Sequence, residues 1–384
     1  MTVKLYEQDP YCKEFTATVC ACEPIKGGYG VVLNQTAFFP EGGGQAADQG
    51  TLGGQSVLDV QMQGEVITHT LENPIPVGET VTGELNFELR FDRMQNHTGE
   101  HLLSGVIHNA FGYNNIGFHM NDQVVTLDVD GVLTSEQVAM VEQTANRAIY
   151  ENRSVVATFP EESALKELDY RSKLDLTDGV RIVEIEGYDV CACCAPHVAH
   201  TGEIGMIKVI DFYPNKQGTR LEMVCGGRAL ADYRALHDAN KEIMGLLSAK
   251  RNETPAKVKQ EQESLQALRS EMKLLSQKLA WVGLQTVVMG DHVIGFTDGA
   301  SYDDLRYCVN ILAEEHTGIC GLFSKDSQGD SIYILASANQ TIQDLVKEMN
   351  GALQGRGGGK PNFAQGKVAA TYDQIKAWFG EKLS

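Results

Sequence analysis

Two pairs of side chains in this sequence have the types and spacing to bind a metal ion. His97-Thr98-Gly99-Glu100-His101 falls where the pattern turns helical, and an i, i+4 separation puts both imidazoles on one helix face, about one turn apart. Further along, Cys193-Cys194-Ala195-Pro196-His197 repeats that separation with a thiol and an imidazole. Two short pairs of nitrogen and sulfur donors are the usual borderline-soft set for Zn²⁺. Four protein ligands would complete the tetrahedral shell of a structural site, whereas a catalytic zinc keeps a position open. Either one ligand is loose or the ion becomes five-coordinate; Cys191 and His200 are nearby substitutes.

The first five residues also read as His-x-x-Glu-His, the inverted zinc-protease motif with Glu100 as general base. That reading needs a carboxylate as third ligand, for which Glu136, Glu142 and Glu151 are available on the next helix. It leaves Cys193 and His197 without a purpose.

The elements that position these residues follow from patterning. Residues 1–92 alternate short apolar stretches with turn residues such as Gly27-Gly28 and Gly53-Gly54, the rhythm of a small β-barrel. From Asn96, Leu102, Leu103, Val106, Ile107 and Ala110 recur at helix spacing. A second helix is expected over Ser135–Glu151, with Thr134 and Gln137 as a capping box. Strand-like segments at Val155–Phe159, Val180–Ile185 and Ile204–Asp211 complete an α+β domain over 93–228 that would hold the metal. Residues 229–283 read as two helices interrupted at Pro255. In the second, Val258, Leu265, Met272 and Leu279 repeat every seven residues beside Leu268, Leu275 and Val282, as in a short coiled coil or antiparallel hairpin. Residues 284–384 alternate strands and helices, a separate C-terminal α/β domain. The fold class is thus α+β and multidomain.

Composition narrows the setting. The 384 residues are 42% hydrophobic and carry a formal net charge of -19, with 32 of the 51 acidic residues in 1–228. Any grip on a polyanion must therefore come from local patches and the later segments. Nine cysteines, with one knot at Cys191, Cys193 and Cys194, favour metal binding or thiolate chemistry over disulfides in a reducing compartment. No apolar run approaches the ~20 residues that span a bilayer, and the start lacks a signal-peptide core, so a cytoplasmic location and no membrane partner are expected. The run Gly355-Arg356-Gly357-Gly358-Gly359-Lys360-Pro361 superficially resembles a phosphate loop. It fails as one, because Gln354 and Pro361 stand where the motif needs glycine and Ser/Thr.

Three further motifs, in order along the chain, resemble the AlaX family of alanyl-tRNA editing proteins and the editing domain of alanyl-tRNA synthetase. They are Thr36-Ala37-Phe38-Phe39-Pro40-Glu41-Gly42-Gly43-Gly44-Gln45 with Asp48-Gln49-Gly50, the run from Arg93 to Leu103, and Cys193–His197 followed by Thr201-Gly202-Glu203-Ile204-Gly205. Gly226-Gly227-Arg228 and Gly357-Gly358-Gly359-Lys360-Pro361 are similar to the long family form, with its C-terminal DHH-associated domain. One departure is Cys194-Ala195-Pro196 where the synthetases have Gly-Gly-Thr, which puts the loop's hydrogen bonding in question. Threonyl-tRNA synthetase editing domains use similar metal pairs, and it is the glycine-rich segment that points to alanine.

The resemblance implies hydrolysis of mischarged tRNA(Ala), chiefly Ser-tRNA(Ala) and also Gly-tRNA(Ala), at a zinc site of His97, His101, Cys193 and His197. Gln45 would supply hydrogen bonds near the ester, and Glu100 would orient the water. Thr36 would face the amino-acid pocket, where a hydroxyl can tell serine from alanine. His69 and His119 are pocket or packing histidines. Arg356 and Lys360 are candidate tRNA contacts, and a homodimer could form through the coiled coil or the C-terminal domain. The competing class is a non-catalytic tRNA-binding protein with a structural zinc.

Overall fold

A computed structural model describes residues 2–172, 179–326 and 329–383. The chain forms two compact units, Met1–Asn240 and Lys241–Ser384. Among the described residues, no helix is long and apolar enough to cross a membrane.

The first unit opens with a seven-stranded antiparallel sheet, ordered Gln55–Ser56, Gly50–Leu52, Thr80–Leu85, Glu14–Ile25, Gly28–Leu33, Val66–Leu71 and Asp59–Gln63. Alternation along Glu14–Ile25 sends Phe15, Ala17 and Val19 inward against Val31, Leu33, Phe38, Leu52 and Ile67. The expected barrel is not closed by a ladder. Its two edge strands are consecutive in the chain, and the link between them, Val57-Leu58, makes only single backbone bonds to Gly50 and Thr70. The sheet therefore curls back on itself through covalent continuity, not through strand pairing.

The long helix Phe87–Phe111 begins nine residues before the expected Asn96. Asn86 caps it by accepting from the Leu89 N–H at 3.2 Å, and Gly112, in the left-handed region at φ 73°, ends it. Its first turns are buried by polar clamps. Arg90, fully buried, grips the Asp48 carboxylate and donates to the carbonyls of Ala37 (2.6 Å) and Pro10 (3.0 Å). Arg93 donates to Ala47 O at 2.6 Å. Together these pin the glycine-rich segment, which lies between the strands Gly28–Leu33 and Gly50–Leu52 of that sheet, onto the helix.

Beyond that helix, a four-stranded antiparallel sheet runs in the order Asn115–Met120, Val125–Val129, Thr219–Cys225, Ile207–Pro214. The long helix and Ser135–Glu151 bury Leu103, Ile107, Val141 and Ala145 with Leu127, Leu221 and Met223. The Thr134/Gln137 capping box forms as expected. A smaller three-stranded sheet pairs Val155–Thr158, Ile182–Ile185 and Asp189–Ala192.

In the second unit, the helix Thr254–Val282 carries Pro255 in its first turn. Its heptad seam is not buried within the chain, because Val258, Leu265, Leu268, Met272, Leu275, Leu279 and Val282 are all exposed. A six-stranded mixed sheet follows, ordered Gln285–Met289, His292–Asp298, Ile319–Lys325, Ser331–Ser337, Phe363–Val368 and Arg356–Lys360. The glycine-rich run that resembled a phosphate loop is its edge strand. The Gly357 Cα lies so close to Gly366 and the Tyr333 hydroxyl that a Cβ would overlap both, so only glycine lets these strands pair.

Candidate metal centre

His97 and His101 leave the long helix one turn apart, while Cys193 and His197 lie in the loop after the strand Asp189–Ala192. Folding brings all four together, with ligand atoms within 4.8 Å of one another. Cys193 Sγ is 3.6 Å from His97 Nε2 and 3.3 Å from His197 Nε2.

Each of the three histidines faces a polar atom at Nδ1, His97 and His197 through a hydrogen bond and His101 through an ion-pair contact. Gln45 Oε1 lies 2.9 Å from His97 Nδ1, Thr98 Oγ1 lies 3.0 Å from His197 Nδ1, and Asp189 Oδ2 lies 3.3 Å from His101 Nδ1. With Gln45 Oε1 accepting, the His97 proton sits on Nδ1, and the Nε2 atoms of His97 and His197 face the sulfur, as those of metal-bound histidines with outer partners do. Gln45 can reach His97 because Gly43 and Gly44, at φ 61° and 82°, turn the preceding segment back, and Phe118 sits where a Gly44 side chain would be. Asp189 is itself clamped by Arg171, whose Nε and Nη2 donate at 2.7 and 2.9 Å.

Electrostatics suit a cation. Burial opposes a charged Cys193, but the facing imidazoles, His97 and His197 first, outweigh it and hold the thiol well below its usual range. Burial pushes His197 down to about 3, leaving a neutral imidazole. Burial also disfavours a charged His101, yet Cys191, Cys193 and Asp189 raise it overall. A buried thiolate among imidazoles fits a borderline-soft divalent ion such as zinc.

The alternatives separate cleanly. His200 is exposed, beside Glu203 at 3.8 Å, outside the cluster. Cys191 is adjacent and forms a second donor group with His101 and Asp189. None of Glu136, Glu142 and Glu151, the carboxylates named for a protease reading, joins either group. Glu142 holds Lys208 and the Val209 N–H, Glu151 pairs with Arg153 and Tyr188, and Glu136 sits at the first turn of its helix. The loop whose Gly-Gly-Thr is replaced is supported from outside, since Arg181 donates to Cys193 O (3.0 Å) and Ala195 O (2.8 Å).

A cavity of about 680 Å³ opens onto His97, His101 and Cys193, with Glu100, Asn115 and Arg171 also on its wall. Glu100 is buried. Gln45 is buried too, and its Nε2 has no hydrogen-bond partner among the described residues. Thr36 is buried away from this wall: its hydroxyl pairs with His69 Nε2 at 2.8 Å and accepts from the Phe38 N–H at 3.2 Å. Burial pushes His69 down to about 4, the mark of a neutral packing histidine against Phe38. His119 is exposed on its strand. Thr98, Asp189, Arg171 and Asn115 escaped notice in the sequence. Asp189 carried one signal, since on a strand it shares a face with Cys191 and Cys193.

In the second unit, a cavity of about 510 Å³ is lined by Lys347, Asn350, Arg356, Lys360 and the glycines between them.

Comparison with known proteins defines a class first. Residues 180–222 match the threonyl and alanyl tRNA synthetase second additional domain, and residues 13–89 match the class II (A) tRNA synthetases. Along almost its whole length the chain is, more particularly, similar to the alanyl-tRNA editing proteins. It is 29% identical to the alanyl-tRNA editing protein Aarsd1 of Mus musculus, over 95% of this chain and 93% of that one. Identity to the alanyl-tRNA editing protein AlaX-L of Pyrococcus horikoshii is also 29%, over 100% and 98%. The alanine–tRNA ligase of Ignicoccus hospitalis is 36% identical over 64% of this chain, which corresponds to 28% of that enzyme.

Proposed function

We propose that this chain edits tRNA(Ala) in trans, hydrolysing the ester that links a wrong amino acid, chiefly serine and also glycine, to the terminal ribose. The observation that carries this reading is the convergence of three oriented imidazoles on Cys193 in the wall of a cavity of about 680 Å³. That volume falls within the ~300–1,000 Å³ of small-molecule sites. A purely structural zinc would have no use for such a cavity. The names of its full-length relatives supply the substrate class.

In this reading His97, His101, Cys193 and His197 hold a zinc ion. When bound, such an ion supplies Lewis-acid chemistry, polarising an ester carbonyl or acidifying a water. Gln45, Thr98 and Asp189 fix the imidazoles, and the unpaired Gln45 Nε2 is a donor for the ester oxygen. Arg356 and Lys360, exposed on the edge strand of the second unit, contact tRNA phosphates.

The test is deacylation of Ser-tRNA(Ala), Gly-tRNA(Ala), Ala-tRNA(Ala) and Ser-tRNA(Ser) by the purified protein. Hydrolysis of the first two with sparing of the others is expected. Equal rates on Ser-tRNA(Ala) and Ser-tRNA(Ser) would remove tRNA(Ala) from the assignment.

A further inference from the structure

Glu100 stands between His97 and His101 on the long helix, lines the same cavity and is 3% exposed. Asn115 Nδ2 donates to its Oε1 at 2.6 Å. No Lys, Arg or His among the described residues lies within ion-pair distance of it. Arg171, close enough to feel the charge of Glu100, is committed elsewhere, with Nε and Nη2 on Asp189 and Nη2 also on Ser104 at 2.8 Å. A carboxylate this buried, held by one neutral amide, is costly unless a cation arrives to pair with it. The wall of the cavity is therefore built for a positively charged group placed one helical step from the metal ligands.

An aminoacyl ester offers one such group, the α-ammonium on the carbon next to the carbonyl. We infer that Glu100, oriented by Asn115, receives that α-ammonium, so the site takes free aminoacyl esters and refuses N-acylated ones, peptidyl-tRNA included. This rests on the editing reading and replaces water orientation as the role of Glu100. It adds a selection that side-chain recognition cannot provide, because serine, glycine and alanine esters all carry the same ammonium. Acylating the nitrogen removes the charge and adds bulk against the carboxylate.

The test compares two ligands on the zinc-loaded, full-length protein by calorimetry: 3′-amino-3′-deoxyadenosine carrying a serylamide, and its N-acetylseryl counterpart. Hydrolysis of Ser-tRNA(Ala) and N-acetyl-Ser-tRNA(Ala) is measured in parallel. The free amine is expected to win by about 10–100-fold in both, the span of a hydrogen bond to a charged group. In Glu100→Gln, with metal content unchanged, both ratios fall toward one. Asn115→Ala keeps the charge and loosens it, so it lowers the ratios by a smaller factor. Equal treatment of the two ligands by the wild type overturns the inference without recourse to any variant. So does a Glu100→Gln protein that is slower on both substrates at an unchanged ratio, the signature of a water-orienting carboxylate. Preferential binding of the free amine without hydrolysis of either tRNA would uphold the subsite and reject the editing reading.

Discussion

The cavities of the two units differ in how far their chemistry is prepared in advance. In Met1–Asn240 the polar groups are buried and already oriented: each ligand histidine has a partner at Nδ1, and two of those partners, Gln45 and Asp189, come from outside the long helix. In Lys241–Ser384 the cavity is bounded by an exposed strand of glycines between Arg356 and Lys360, two long side chains free to rearrange. Preorganised buried donors suit a small reacting centre, where misplacement is costly. Exposed cations on a smooth edge suit a polymer backbone, where each contact contributes little and salt competes.

The contrast breaks most readily at the ligands. His97→Ala or Cys193→Ala should lose metal and deacylation together, with affinity for zinc down by more than the ~100-fold that outer partners command. Elemental analysis beside the rate assay checks it, and a zinc-free variant at full rate would refute it. Asp189→Asn, which keeps the shape but frees His101 and Arg171, should weaken zinc by about 10–100-fold in a chelator competition and change the visible spectrum of the cobalt-substituted protein. A smaller effect is expected at Thr36→Val. The hydroxyl that pairs with buried His69 disappears, so the unit should lose about 1–3 kcal/mol of stability with metal content unchanged. If stability holds while the serine-to-alanine hydrolysis ratio shifts, Thr36 acts on the amino acid instead. Smallest is the double variant Arg356→Ala, Lys360→Ala. It should leave zinc and the rate at saturating tRNA alone, weaken tRNA affinity several-fold, and flatten its salt dependence by a slope of about one per lost phosphate contact.

What the sequence revealed follows the same division. Ligands within one motif announce themselves, because four residues of helix or loop set their spacing locally. Asp189, Arg171 and Asn115 reach the centre from separate segments, and only tertiary folding joins them. The start of the long helix was obscured for a related reason. Arg90, Arg93 and Asn96 occupy buried positions there, so ion pairs and backbone contacts replace the apolar periodicity that marks the later turns. Glycines in Arg356–Lys360 read as a loop because glycine is a poor strand former. What makes them a strand is Gly366 and Tyr333, distant in sequence. The barrel rhythm predicted the strands and their inward faces but not closure, which depends on the two-residue link at Val57-Leu58.

The central claim is that the buried cluster of His97, His101, Cys193 and His197 is the hydrolytic centre. It is tested most directly by stripping the protein of metal and titrating zinc back while Ser-tRNA(Ala) hydrolysis is followed. The account predicts a rate that rises linearly to a plateau at one equivalent of zinc per chain, and that is absent from the His97→Ala protein. A metal-free protein that hydrolyses Ser-tRNA(Ala) at the full rate would contradict it.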